Sequence, residues 1–434
     1  MNCRQLINLV ALTSLVMSIA PLAAAQEGDV LIIHAGTLLA IPGEAPVSQQ
    51  SIVVRNGVIE SIQDGYIDGN GLPGAQIVNL RDSFVLPGLI DMHVHLTGEI
   101  NSTSRTDALT VTTSMEALRG AYFAGVTLRA GFTTVRDLGS EPEAIYALRD
   151  AVNQGLIDGP TIFAAGSAIS ATGGHGDVDG VKPELLELWT PETICDGPYS
   201  CRQALREAIK FGADWIKITA TGGVLSDTGT GLGQQLTDDE LVEIMGTAHN
   251  LGVKVAAHAH GADGINAALR AGVDSIDHGT FLDDESIALF LETGAFLVPT
   301  LLPGIKIPET MEGNPFFTDD IKAKAYAAGE AAMTNIGRAF AAGVNVAFGT
   351  DSAVTPHGLN GEEFYYMVQA GMSEMDAIYS ATLAAADLLS RSEVIGSIEP
   401  GKRADIIATS NSPLEDITEQ ERVSSVIKAG KLIK

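Results

Sequence analysis

His93 and His95 stand one residue apart at the end of an apolar run that begins at Phe84. Because side chains on a β-strand alternate between its two faces, both imidazoles are expected on one face and Val94 on the other. Two imidazoles at a strand end can bind one metal ion, and imidazole suits zinc. A lone pair of this kind is more often two ordinary histidines, so the other histidines decide between the two interpretations.

Three further histidines also end apolar runs: His258, His260 and His278. The alternation rule puts His258 and His260 on one face of their strand. Histidines scattered through a core have no reason to gather at strand ends. The pattern therefore favours one shared metal site over several unrelated core histidines.

A lysine and an aspartate extend this set of candidate ligands. In the run 215–219, strand alternation puts Trp215, Lys217 and Thr219 on one face. A lysine that points into a closed interior is costly as a free ammonium. Either a salt bridge to a buried acid or reaction with carbon dioxide, which gives an anionic carbamate with two ligand oxygens, would remove that cost. Asp351 ends the last apolar run and supplies a carboxylate.

The elements that must position these residues follow a repeated pattern of a helix-like segment, a glycine and a short β-branched run. A glycine just past a helix end adopts the left-handed cap, so each unit indicates helix, cap and strand. The glycines of these units are Gly131, Gly212, Gly252, Gly272, Gly294 and Gly343. With the strand before His93 and another at 161–164, the pattern predicts eight strands.

Eight nearly continuous apolar strands that alternate with helices predict an α/β fold, a parallel sheet closed into a (β/α)8 TIM-like barrel over residues 84–395. A doubly wound open sheet is the rival, and the lack of a glycine-rich phosphate loop after the first strand counts against it. Two helix starts are indicated by Thr237, with a capping box to Glu240, and by Thr318.

The two ends of the chain have a different character. Residues 26–83 and 396–434 contain short β-branched runs separated by turn residues, with Arg55-Asn56-Gly57 as a hairpin turn. We expect the two ends to meet as one small composite β-sandwich domain beside the barrel.

Residues 1–25 have the layout of a secretory signal peptide, with Arg4, an apolar stretch over 6–19 and Ala23-Ala24-Ala25 at the expected cleavage site. A membrane anchor is the alternative, but the apolar stretch is short for a span. We therefore expect an exported protein, periplasmic or secreted, with no membrane span in the mature chain.

Charge and cysteine content narrow the partners and the compartment. The formal net charge of −28 disfavours nucleic acid or an anionic membrane surface as a partner. If Cys3 leaves with the signal peptide, Cys195 and Cys201 remain, and an oxidising compartment favours a disulfide between them. A thiolate metal site is the rival, but no further cysteine would complete it.

The order of these residues resembles that of the metal-dependent amidohydrolase superfamily. Each motif alone is weak, but the ordered set is specific, and the resemblance spans nearly all of the mature chain. The residues that carry it are Pro87-Gly88-Leu89-Ile90-Asp91-Met92-His93-Val94-His95, Lys217, His258, His278, Asp351 and the ending 396–405.

The resemblance implies two divalent metal ions, with zinc expected. The implied ligands are His93, His95 and Asp351 for the more buried ion, His258 and His278 for the other, and Lys217 as a bridging N6-carboxylysine. Two cations together activate a hydroxide and polarise a carbonyl. Asp351 would take the proton from that nucleophile and pass it to the leaving nitrogen.

Three segments, at 172–176, 221–224 and 256–261, resemble the branch that contains prolidase-like dipeptidases, carboxypeptidase-like enzymes and ochratoxinase. Such enzymes cut an amide whose nitrogen belongs to a C-terminal amino acid, so a small amide or peptide is the implied substrate. His260 would bind the substrate carbonyl or carboxylate. His175 is a second candidate for substrate binding, with a purely structural role as its alternative. The resemblance also implies a homo-oligomer.

Two other functions stay open at this point. An imidazolonepropionase-like hydrolase of cyclic amides would use the same metal centre with different loops. A catalytically silent metal-binding protein could be built on the same barrel, although the proton-shuttling Asp351 is present.

Overall fold

The structure is a computed structural model. It describes residues 29–178, 182–226, 231–311, 313–314 and 316–434, so the predicted signal peptide at 1–25 lies outside the described residues. The strands are β1 (Val30–Leu38), β2 (Val47–Arg55), β3 (Val58–Asp64), β4 (Gln76–Pro87), β5 (Leu89–Val94), β6 (Phe132–Asp137), β7 (Thr161–Ala164), β8 (Ile216–Thr219), β9 (Val255–Ala259), β10 (Ser275–His278), β11 (Phe296–Val298), β12 (Ile406–Thr409), β13 (Ser425–Lys428) and β14 (Lys431–Leu432).

Helices alternate with the strands of the central part of the chain. They are α1 (Ser104–Thr110), α2 (Thr113–Arg129), α3 (Pro142–Asn153), α4 (Pro183–Trp189), α5 (Pro198–Phe211), α6 (Asp238–Asn250), α7 (Ala262–Ala271), α8 (Asp284–Thr293), α9 (Leu301–Thr310), α10 (Asp319–Ala341), α11 (Glu362–Gln369), α12 (Glu374–Tyr379) and α13 (Ala385–Leu388). A π-helical turn spans Ser380–Ala384, and a 3-10 helix spans Ile417–Arg422.

Strands β5 to β11 run parallel and follow one another in chain order around the barrel. Between β7 and β8 the connection is less regular. The Asp214 amide donates to the Ala164 carbonyl at 2.8 Å, and Ile169 forms a parallel bridge with Ile218.

The eighth predicted strand, at 344–348, closes the barrel and is less regular than predicted. Val346 forms a parallel bridge with Leu297 of β11. On the other side, the Asp351 amide donates to the His93 carbonyl at 2.8 Å. The backbone at Asp351 is left-handed, with φ 56°, so regular strand pairing does not continue past this residue. The predicted (β/α)8 barrel is confirmed, with one irregular segment.

Two apolar layers follow from the alternation of strand side chains. Leu89 and Val94 of β5 belong to the large core cluster in which the strands pack against the helices. Ile90 and Met92 of the same strand point the other way and pack with Trp215 inside the barrel. The barrel interior is therefore a packed core, as in other barrels of this kind.

The two chain ends form one seven-stranded sheet in the order β14-β13-β12-β4-β1-β2-β3. β1 and β4 are parallel, and the other neighbours are antiparallel. Ile33, Ile52 and Ile406 share one buried apolar cluster, so residues from both chain ends enclose a common core. This is the sandwich-like element expected beside the barrel.

The sheet continues past the predicted boundary at residue 83. Residues 84–87 belong to β4, where Pro87 lies opposite Ile406, and the barrel strand β5 begins at Leu89. The predicted first barrel strand is therefore divided at Gly88. A Cβ atom at Gly88 would lie 2.4 Å from the Thr133 hydroxyl oxygen, so the chain passes into the barrel where a side chain would not fit.

Helices α9 and α10 pack closely together. A Cβ atom at Gly329 would lie 2.3 Å from the Gly304 carbonyl oxygen, so the two helices touch backbone to backbone. The predicted helix starts are both present. The Thr318 side chain caps α10, and Thr237 and Glu240 form the capping box of α6.

Cys195 and Cys201 form a disulfide that joins α5 to the segment before it. Both cysteines are buried in the layer between strands and helices. Within the described residues, no helix has the length and apolar character needed to cross a membrane.

Candidate metal centre

A cavity of about 290 Å³ lies at the C-terminal ends of the barrel strands. It is lined by every side chain that the sequence predicted to bind metal or substrate. These are His93, His95, His175, Lys217, His258, His260, His278 and Asp351. The barrel closure brings His95 and Asp351 into contact although they lie 256 positions apart in the chain.

Asp351 lies between the two histidines at the end of β5. Its Oδ1 is 3.0 Å from His95 Nε2 and 3.5 Å from His93 Nε2. Ligand atoms of His93, His278 and Asp351 all lie within 4.8 Å of one another. At this spacing one cation can contact all three side chains.

A second group of three histidines, His258, His260 and His278, meets the same 4.8 Å limit. The ring centroids of His258 and His278 are 4.6 Å apart, and those of His260 and His278 are 4.8 Å apart. Because His278 belongs to both groups, two cation positions would be neighbours in one cavity.

Burial keeps most of these imidazoles uncharged. It lowers the pKa of His93 to about 4 and that of His260 to about 3. Burial also lowers the pKa values of His258 and His278 well below 6.5. A neutral imidazole offers a lone pair, which metal binding requires.

His95 and Asp351 behave differently because they contact each other. Burial opposes ionisation of Asp351, but the electrostatic interaction with the His93 ring and the hydrogen bond to His95 hold the pKa of Asp351 well below its usual range. Burial likewise opposes a charge on His95, yet Asp351 raises the pKa of His95. The Nδ1 atom of His95 lies 2.7 Å from the Gly139 carbonyl oxygen. Asp351 is therefore an ionised carboxylate inside the cavity, well suited to a cation.

Neighbouring hydroxyl groups hold two of the rings. His278 Nδ1 lies 2.7 Å from Thr300 Oγ1, and His260 Nδ1 lies 2.7 Å from Thr280 Oγ1. With Nδ1 engaged, Nε2 of each ring is available on the cavity side. Such contacts fix the tautomer and the direction of a metal-binding imidazole.

A buried ion pair lies behind His93. His93 Nδ1 is 2.8 Å from Asp277 Oδ2. Asp277 also accepts hydrogen bonds from Arg136 Nη2, at 3.2 Å, and from Ser275 Oγ, at 2.8 Å. Burial opposes ionisation of Asp277, but Arg136 lowers its pKa. Arg136 is fully buried, and its guanidinium stacks over the Trp215 ring.

The roles of Asp277, Arg136, Thr280 and Thr300 were not predicted from the sequence. Strand alternation makes Asp277 point inward and would put His278 on the opposite face. The backbone at His278 is left-handed, with φ 75°, and this turns the imidazole into the cavity as well. The signal available in the sequence was the presence of charged residues, among them Arg136 and Asp277, inside two otherwise apolar runs.

Lys217 is 4% exposed and lines the cavity, as strand alternation predicted, together with Thr219. Burial lowers the pKa of Lys217 to about 8. Within the described part of the chain, its ammonium has no ion pair or hydrogen bond. A lysine in this state has a larger share of the uncharged amine, which is the form that reacts with carbon dioxide.

His175 comes from the glycine-rich loop after β7. Its ring centroid lies 4.2 Å from that of His258, and its backbone amide donates to Gln235 Oε1. A Cβ atom at Gly223 would lie 2.2 Å from the ring, so the glycine there makes room for the imidazole. Among the described residues, His175 Nδ1 has no hydrogen-bond partner.

The outer wall of the cavity is apolar and comes from α9, α10 and the loop after β8. Its main side chains are Val224, Leu225, Pro303, Ile307, Ala325 and Ala328. A wall of this kind limits the access of water to the polar groups beneath it.

Comparison with known proteins places the chain in a family. Residues 84–433 match the amidohydrolase family. The ochratoxinase of Aspergillus niger is 32% identical over 436 residues, which cover 95% of this chain and 88% of that protein. The crystal structure of a Xaa-Pro dipeptidase with bound methionine in the active site has a TM-score of 0.89 at 42% identity and covers 93% of this chain and 99% of that one. The crystal structure of a prolidase complexed with N-methylphosphonate-L-proline has a TM-score of 0.84 at 32% identity. It covers 93% of this chain and 99% of that one.

The chain belongs to the amidohydrolase family. It is a hydrolase that acts on amide or peptide bonds, and the histidine-rich cavity is the candidate active site. The superfamily and the branch predicted from the sequence are confirmed.

The ion pair behind His93 gives a testable prediction. Asp277→Asn should lower the free energy of unfolding by about 3–5 kcal/mol, because it leaves the buried Arg136 charge without its partner. Glu60→Gln removes the partner of the exposed Arg55 and is the control, with an expected change below about 1 kcal/mol. Urea unfolding of the metal-free proteins measures both. Wild-type stability of Asp277→Asn would contradict the role assigned to the pair.

Proposed function

We propose that the protein is an exported, homo-oligomeric, binuclear metal-dependent amidohydrolase. Its substrate is an amide or peptide bond to a C-terminal amino acid, in a dipeptide, an N-acyl amino acid or an ochratoxin A-like compound. The observation that carries the proposal is the single cavity in which His93, His95 and Asp351 lie beside His258 and His278, with Lys217 in the same lining.

The donor set fits two divalent cations, and zinc is the ion that we propose. Uncharged imidazoles and an ionised carboxylate are ligands that zinc prefers. A carbamate on Lys217 adds an anionic group that two ions can share. The residues that would hold the ions are His93, His95 and Asp351 for the more buried one, His258 and His278 for the other, and Lys217 between them.

Two ions bound there would lower the pKa of a water molecule and polarise the amide carbonyl. The side chains of the cavity carry out the remaining tasks. A carboxylate oxygen of Asp351 accepts a proton from the attacking water and donates it to the leaving nitrogen. His260 Nε2 binds the substrate carbonyl or carboxylate, and the imidazole of His175 provides a second contact. The apolar wall keeps bulk water away from the reacting groups.

The relatives support the class of substrate. One is an ochratoxinase, one is a Xaa-Pro dipeptidase with methionine bound in its active site, and one is a prolidase with a phosphonate derivative of proline. The names of the dipeptidase and the prolidase imply a substrate that ends in an amino acid. We extend that feature to this chain.

The functional test uses metal-depleted protein reconstituted with zinc. It should release a free amino acid from at least one class among dipeptides, N-acyl amino acids and ochratoxin A, and Lys217→Ala should lose most bound metal and nearly all turnover. Metal analysis and amino-acid release measure the two effects. Short carboxylic acids should restore part of the activity of Lys217→Ala, because they can replace the bridging carbamate.

Lys254→Ala is the control for this test, since Lys254 is a partly buried lysine that binds the Leu388 carbonyl outside the cavity. It should keep both metals. Full metal content and activity in Lys217→Ala would contradict the bridging role. Turnover of a cyclic amide alone would favour the imidazolonepropionase-like alternative, and inactivity with two metals bound would favour a silent metal-binding protein.

Asp351→Asn separates proton transfer from metal binding. Asparagine has a similar shape and keeps a coordinating oxygen, but it is not a base. The turnover number should fall by about a hundred- to ten-thousand-fold, while metal content and substrate affinity change much less. Steady-state kinetics and metal analysis check this expectation. Wild-type turnover with two metals bound would show that another group, such as His260, moves the proton.

Export and assembly are tested on protein from its native host. Intact-mass analysis should find a chain that lacks residues 1–25, because the apolar stretch and the alanines before Gln26 fit signal processing.

Self-association is supported by an exposed apolar stripe on α2 that consists of Met115, Leu118 and Tyr122. Light scattering should therefore give a multiple of the single-chain mass. Retention of Met1 would refute export, and a monomer would refute assembly.

A further inference from the structure

Glu363 is a buried acid whose two oxygens both bind one helix start. It lies on α11 with no exposed surface. Its Oε1 accepts a hydrogen bond from the Leu301 amide and its Oε2 one from the Leu302 amide, each at 2.7 Å. Within the described residues the carboxyl group has no ion-pair partner. The Glu363 carboxyl group therefore caps the first turn of α9.

The amides at a helix start are normally satisfied by the residue that precedes the helix. For α9 that residue is Thr300, and its side chain makes no such hydrogen bond. The Thr300 hydroxyl instead contacts His278 Nδ1 at 2.7 Å. Glu363 thus takes over the capping role from another helix, and Thr300 is left free to hold the imidazole.

The backbone at Thr300 needs support from outside. Its φ of 47° is left-handed, a conformation that β-branched residues rarely adopt. The next two backbone amides are those that Glu363 binds. The same carboxyl group therefore fixes the chain on the C-terminal side of the strained residue.

We propose that Glu363 is a positioning residue for the metal centre. It anchors Leu301 and Leu302, which fixes Thr300, and Thr300 fixes the direction of the His278 imidazole. The inference rests on the proposed function, in which His278 is a metal ligand. A purely structural cap would affect the stability of the fold but not the affinity for metal.

Glu363→Gln is the discriminating variant. Burial raises the pKa of Glu363 to about 8, so a neutral side chain is tolerated here, and the main change is the loss of one hydrogen-bond acceptor. The amide nitrogen would face a backbone N–H group. Glu362→Gln is the matched control, because Glu362 is the preceding residue of α11 and contacts α9 through Lys306, at 2.9 Å, away from the helix start.

The measurement is the zinc affinity of metal-depleted protein, by competition with a chelator. Loss of a group that orients a ligand typically costs ten- to a hundredfold in metal affinity. We expect a loss of about that size at one of the two zinc sites in Glu363→Gln, and wild-type affinities in Glu362→Gln. Thr300→Val should show the same loss, and Thr300→Ser, which keeps the hydroxyl, should restore affinity.

The double variant Glu363→Gln/Thr300→Val tests the chain of contacts. If Glu363 acts through Thr300, the double variant should lose no more affinity than either single variant. Additive losses, or wild-type zinc affinity in Glu363→Gln, would overturn the inference. If Glu363→Gln does not fold, the zinc affinity of Glu363→Asp is measured instead. A loss at one site would support the inference, and wild-type affinity would overturn it. Failure of the wild-type protein to bind zinc would instead overturn the proposed function.

Discussion

Hydrogen bonds between the last barrel segment and β5 hold the candidate metal centre together. The Asp351 amide donates to the His93 carbonyl, and the His95 amide donates to the Ser352 carbonyl. Asp91 adds a second connection, since its carboxyl group accepts hydrogen bonds from the amide and the hydroxyl of Thr350. These bonds join the first and the last parts of the barrel beside the candidate metal ligands. The contact between Asp351 and the two histidines of β5 depends on that closure.

Two groups of charged side chains inside the barrel differ in what they face. Arg136 and Asp277 neutralise each other beneath His93, and this pair can stay in a dry core because every charged atom has a partner nearby. Lys217 and Asp351 face the cavity instead. Conversion of Lys217 to a carbamate would replace a buried positive charge by a negative one. Together with Asp351 it would then balance part of the charge of two divalent cations, which the neutral imidazoles cannot do.

Helix α9 connects the candidate ligand His278 to the apolar wall of the cavity. Its start is held by Glu363 and lies next to Thr300, which contacts His278, while Pro303 and Ile307 farther along the helix line the cavity. A displacement of α9 would therefore alter a candidate ligand and the wall that excludes water at the same time. Because one helix positions both features, a substitution that shifts α9 would change the site even where the substituted residue does not touch the substrate.

The sequence by itself determined the barrel and the flanking sheet, because helix caps and strand alternation are local rules. The side chains that meet in the cavity were predicted from the order of the motifs and the family resemblance that this order carries. Strand alternation alone predicted that the imidazoles of His93 and His95 lie on the same face. Tertiary structure decided the rest: the division of the first strand at the sheet boundary, the irregular closing segment, the left-handed turn that aims His278, and the supports from Asp277 and Glu363. These features depend on backbone geometry and on contacts between residues far apart in the chain, which no local pattern of residue types encodes.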